Sequence, residues 1–61
     1  MTKLEELRRK AGLTQSELSV KSGVATSTIS RLEVDGLNDA KVKTLLVLAE
    51  AIGCQVGDFF A

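Results

Sequence analysis

The apolar residues of this chain recur at intervals of three and four, the period of a helix face rather than the alternation of a strand. Leu4, Leu7 and Ala11 open the series, with Lys3, Glu6, Arg9 and Lys10 away from their face, so the spacing predicts a first helix to about Ala11. Thr2 and Glu5 stand three apart at its start, where each side chain can satisfy a free backbone N–H of the other, and Thr14 and Glu17 repeat the arrangement. A second helix is therefore expected from Gln15 through Leu18 to about Ser22, closed by Gly23. Ile29 and Leu32, with Val24 just ahead, predict a third over residues 26–32. Asp39 is the expected N-cap of a fourth, in which Val42, Leu45, Leu46, Leu48, Ala49 and Ile52 form the widest apolar stripe, ended by Gly53. Residues 55–60 supply one or two more helical turns, although Gly57 lowers their helicity by about 1 kcal/mol relative to Ala. The parse is all-α, with five short helices separated by glycines.

Length narrows this further. Sixty-one residues make one domain over 1–61 with one small core. Such a chain buries only about 60% of its unfolded surface, so staples or unusually good packing are commonly needed. Staples are absent: Cys54 is the only cysteine, and without histidine there is no Cys/His cluster for zinc. No metal or cofactor is expected, and the cytoplasm is the expected compartment. The longest unbroken apolar stretch, residues 45–49, stops at Glu50, so no membrane span or signal peptide fits. Eight Lys/Arg balance eight Asp/Glu, which removes any global attraction to polyanions and makes such binding a local matter. With no His, Tyr or Trp and no carboxylate pair, an enzyme is not expected.

Function is best sought on the third helix. Its non-core face offers Thr26, Ser27, Ser30 and Arg31, hydrogen-bonding residues with no acid among them, and it follows its predecessor after about three residues. The run Gly12-Leu13-Thr14-Gln15-Ser16-Glu17-Leu18, then Gly23-Val24, then Ser27-Thr28-Ile29-Ser30-Arg31-Leu32-Glu33, closely resembles the Cro/CI-type (XRE family) helix-turn-helix domain. The likeness covers nearly the whole chain, with Thr44-Leu45-Leu46 and the run from Leu48 to Gly53 resembling the family's fourth helix and Phe59-Phe60 its fifth. It implies a compact five-helix, lambda-repressor-like domain whose helices 2 and 3 form the helix-turn-helix.

Several residues have separate physical reasons to fit that pattern. Ser19 is small where helix 3 should cross helix 2, and Gly23 accepts the positive backbone angle of a tight interhelix turn. The resemblance implies a buried ion pair between Arg8 and Glu33, against the alternative of two solvated charges. It places helix 3 in the DNA major groove and helix 2 across the phosphates. Gln15, at the start of helix 2, would then touch phosphate beside free backbone N–H groups, unless it is an ordinary first-turn glutamine. Thr26, Ser27 and Arg31 match base-reading positions, with Ser30 beside them; Arg31 carries the greatest selectivity, because a guanidinium can bond both acceptors of a guanine edge. The alternative is a merely solvated polar face. Lys41, Arg9, Lys10 and Lys43 are further phosphate candidates or, equally, outward-facing solvated chains.

Three departures from the family pattern bear on this. The loop after helix 3, Glu33-Val34-Asp35-Gly36, looks one residue longer than usual, and Asp35 and Asp39 stand where basic residues commonly meet phosphate. Ala25 occupies the N-cap of helix 3, costing about 1 kcal/mol unless Thr26 takes the role. Ala40 replaces a common proline. The resemblance further implies a homodimer on palindromic DNA, with Cys54, Val56, Phe59 and Phe60 at its interface; adjacent aromatics on a short helix cannot easily both face one core. Cys54 reads as a small apolar residue rather than a reactive thiol. The competing reading is a protein-interaction module, such as an antitoxin or scaffold, favoured by the zero net charge and the acidic loop.

Overall fold

Local signals set most element boundaries in the computed structural model, which describes residues 2–61. Helix α1 (Lys3–Lys10) begins where Thr2 Oγ1 accepts the Glu5 N–H at 3.3 Å. The return half of that box is not made, because the Glu5 carboxylate turns along the helix to Arg9 Nη2 at 3.1 Å. Helix α2 (Gln15–Ser22) has the full box: Thr14 Oγ1 accepts from the Glu17 N–H at 3.0 Å and Glu17 Oε1 from the Thr14 N–H at 2.8 Å. Gly23 ends it at φ +79°, donating its N–H to Ser19 O at 2.9 Å. Nothing lies within 4 Å of where a Cβ would stand, so glycine is required here by backbone angle and not by space. Ser22 stitches the turn, its hydroxyl donating to Leu18 O at 2.7 Å and accepting from the Val24 N–H at 3.2 Å.

Helix α3 (Thr26–Asp35) starts from Ala25 with no side-chain cap; Thr26 is already helical and does not take the role. It continues past Leu32 to Asp35, so the additional residue after Glu33 is absorbed as helix rather than as loop. The expected Asp39 cap is corrected: α4 (Val42–Ile52) has Lys41 as its N-cap residue, again without a side-chain bond. The reason is Leu37, which drops into the core and forces a turn closed by Ala40 N–H to Leu37 O at 3.1 Å, leaving Asp39 outside the helix. The fifth helix is also corrected, to a 3-10 turn at Val56–Phe60. With Gly53 at φ +92° ending α4, few residues remain before Phe59 must re-enter the core, and the tighter winding suits so short a piece. The Gln55 N–H donates to Asp58 Oδ2 at 2.9 Å, and the Asp58 N–H to Gln55 O at 2.9 Å.

The four helices and the 3-10 turn surround Leu4, Leu18, Ile29 and Leu48, all wholly buried. α2 packs on α3 and α4; α1 packs on α3 and on the 3-10 turn, which also meets α4. The inward face of α1 is Leu4 and Arg8, four apart, while Leu7 is half-buried and Ala11 exposed. The stripe on α4 is narrower than its apolar spacing implied: Leu45, Leu48, Ala49 and Ala51 are buried, but Val42 is 70% and Leu46 54% exposed. At about 100° per residue Leu46 turns away from the core beside Leu45, whereas Val42 lies on the same side as buried Ala49 and is left uncovered at the first position of the helix. Among the described residues no strand occurs and no helix is long and apolar enough to cross a membrane.

Two substitutions test the turn chemistry. Gly23→Ala should lower stability in urea unfolding by about 1 to 2 kcal/mol through backbone strain alone. Ala25→Ser should raise it by about 1 kcal/mol by supplying the missing cap.

Candidate nucleic-acid interface

The polar face of α3 is displayed by what lies behind it. Ile29 and Leu32 face the core, and the helical period then turns Thr26, Ser27 and Arg31 outward, all exposed, with Ser30 half-buried beside them. The first turn of α3 holds no acid, and Arg31 makes no ion pair among the described residues. Because Ala25 offers no cap, the first N–H groups of α3 receive no side-chain acceptor at the end nearest Thr26 and Ser27.

Behind this face sits the centre that fixes it. Glu33, on the inner side of α3, and Arg8, on α1, are both buried. Arg8 Nε donates to Glu33 Oε2 at 2.6 Å and Nη2 to Oε1 at 3.2 Å, a two-pronged contact. The third prong, Nη1, donates to Leu13 O at 2.7 Å, while the Leu13 N–H donates back to Arg8 O at 3.1 Å. Hydrogen bonding to Glu33 holds the guanidinium pKa above its ordinary value against the opposing effect of burial, so the cation persists throughout the working pH range. No buried side-chain nitrogen or oxygen is left without a partner among the described residues.

Gln15 joins this centre, its Nε2 donating to Glu33 Oε1 at 2.9 Å. Sequence spacing places Gln15 at the head of α2 and Glu33 near the end of α3 but gives no sign that they meet.

The basic candidates are dispersed. Arg9 is exposed and paired with Glu5 at 3.1 Å; Lys41 and Lys43 are exposed at the start of α4. Arg31 and Lys41 line one hollow with Asp39 between α3 and α4, and Arg31 borders a second with Asp35 and Asp39. Both acids therefore stand close to the residue with the most selective chemistry. Lys10 lies elsewhere, lining a depression with Ile52 and Cys54.

At the C-terminal edge the two phenylalanines divide: Phe59 is 4% exposed inside this chain's own core, and Phe60 is 59% exposed. Cys54 and Val56 are half-buried against the core. Burial first, and the Asp58 charge second, push the Cys54 thiol above its ordinary pKa, which favours the protonated thiol over the thiolate near neutral pH. No group of three or more potential metal-ligating side chains occurs among the described residues.

A family model described as helix-turn-helix matches residues 4–59. No curated protein and no solved structure matches the chain.

Arg8→Met should cost about 3 to 5 kcal/mol in urea unfolding, since it strands the buried Glu33 charge, whereas the double substitution Arg8→Met/Glu33→Leu should recover most of that loss. Cys54 should react with a thiol-specific disulfide reagent more slowly than free cysteine at pH 8, the difference narrowing only as the pH is raised. The same raised pKa makes folding weaken, not strengthen, as pH climbs above the thiol's unfolded value.

Proposed function

Because the chain belongs to the Cro/CI-type helix-turn-helix family, a family of DNA-binding regulatory domains, we propose that it is a transcriptional regulator that reads a specific double-stranded operator in the cytoplasm. The observation that carries the proposal is the exposed face of α3, where Thr26, Ser27 and Arg31 stand clear of acids in the first turn and of intramolecular ion pairs. In this reading α3 enters the major groove and α2 crosses the backbone. Arg31 bonds the O6 and N7 acceptors of a guanine; Thr26, Ser27 and Ser30 add less selective contacts. Gln15, Lys41, Lys43, Arg9 and Lys10 are the proposed phosphate contacts. Lys41 has the best support, sharing a hollow with Arg31, and Lys10 the least, lying beside Cys54.

The proposed assembly is a homodimer on a palindrome, with Phe60 the aromatic left for a second subunit and Cys54, Val56 and Phe59 supporting that edge. Half-sites would lie about one helical turn, roughly 34 to 36 Å, apart. With zero net charge and Asp35 and Asp39 near the groove-facing arginine, binding should depend less on salt than for a basic domain.

Selection from a random duplex pool at about 100 mM salt should enrich such a palindrome. Failure to enrich any sequence would remove the operator reading and leave a protein partner to be sought. On the enriched site, Arg31→Ala should relax preference at one base position at a cost of about 1 to 3 kcal/mol. Lys41→Ala should instead weaken all duplexes alike and flatten the logarithmic salt dependence by about one unit.

A further inference from the structure

Glu33 has a second role beyond pairing with Arg8. Its carboxylate accepts three bonds: from Arg8 Nε at 2.6 Å, from Arg8 Nη2 at 3.2 Å and from Gln15 Nε2 at 2.9 Å. An ionised carboxylate is acceptor-only, so Gln15 must present its NH2 group to Glu33 and not its carbonyl. The amide flip is thereby chosen by chemistry. Nitrogen Nε2 carries two hydrogens; one is taken by Glu33, and the other has no acceptor among the described residues.

We propose that Glu33 is a positioning residue for Gln15, holding one amide hydrogen so that the other is aimed at a DNA phosphate. The proposal rests on the reading of Gln15 as a phosphate contact. Arg8 is essential to the device, because its charge offsets a carboxylate that would otherwise repel the phosphate it helps to bind. The guanidinium is fixed in turn by Leu13 O at 2.7 Å, so the chain of bonds runs from the α1–α2 turn through Arg8 and Glu33 to Gln15. A free glutamine at the head of α2 would lose rotamer freedom on meeting DNA; one already held by Glu33 loses less.

The test is a double-mutant cycle on DNA affinity, with a fluorescein-labelled pool of random-sequence duplexes at low salt as the probe. Gln15→Ala is measured in the wild-type background and in Arg8→Met/Glu33→Leu, whose fold is checked by circular dichroism. Gln15→Ala should raise Kd about 5- to 10-fold in the wild type, the size of one ordinary net hydrogen bond. The Arg8→Met/Glu33→Leu protein should lose a similar factor, and adding Gln15→Ala to it should change Kd little further. Equal losses from Gln15→Ala in both backgrounds would mean that Gln15 grips phosphate without help from Glu33, which overturns the positioning role alone. No loss in the wild type, or no binding by the wild type, would overturn the phosphate reading and the proposal with it. A measurement without DNA or substitution guards against a variant that fails to fold. In the free wild-type protein, NMR should find the Gln15 side-chain amide ordered, with one of its two hydrogens protected from exchange. A freely averaging amide there defeats the proposal whatever the binding data say.

Discussion

Everything else in this small fold is arranged around one buried cation and one buried anion. Arg8 and Glu33 come from helices far apart in sequence and meet where each keeps less than a tenth of its surface exposed. Either charge alone in that place would cost about 3 to 5 kcal/mol, which favours the relative position of α1 and α3 that brings the two together. The same guanidinium reaches Leu13 and the same carboxylate reaches Gln15, so the start of α2 is registered against α3 by polar bonds as well as by Leu18, Ile29 and Leu48 packing behind them. For a chain of 61 residues without disulfide or metal, a direction-sensitive contact of this kind supplies a geometric definition that a handful of leucines cannot.

Much of the architecture is legible in the sequence because its signals are local. The Thr14/Glu17 box and Gly23 mark α2 at both ends, and Ile29 with Leu32 orients α3. What is not legible comes from competition between distant parts. Asp39 is a chemically suitable cap, but Leu37 needs the core, and that demand delays α4 by two residues. Val42 and Leu46 have the spacing of core residues, yet only contact with other elements decides which flank of an apolar helix is covered. Glu5 satisfies one of two equivalent local partners, and the arginine wins over the backbone.

The candidate site divides in the same way. The exposure of Thr26, Ser27 and Arg31 follows from helical periodicity once the inward residues are known. The bond from Gln15 to Glu33 does not, because no sequence pattern links a first-turn glutamine of one helix to a last-turn glutamate of the next. The charge arrangement is legible in part: Asp35 and Asp39 stand out along the chain as acids where basic residues are usual, but that both border Arg31 appears only in space. A face built chiefly from neutral hydrogen-bonding groups, with a single unpaired guanidinium set near acids, offers geometry more than overall attraction.

The reciprocal bonds between Arg8 and Leu13 have a corollary for how such a scaffold can diversify. They lock the α1–α2 turn at both its backbone and its side-chain end, so an added or deleted residue there would pull the guanidinium off the carboxylate. The stretch between α3 and α4 is tied by the Gly36 bond to Leu32 O, by Leu37 and its bond from Ala40 and by Ala40 against the core, with no side-chain hydrogen bond to another element among the described residues and with Asn38 and Asp39 exposed between. Chain length is therefore negotiable on one side of the helix pair and forbidden on the other. Descendants of this fold are free to lengthen the segment beside Arg31, and with it to acquire new contacts there, while the hinge opposite keeps its count of residues.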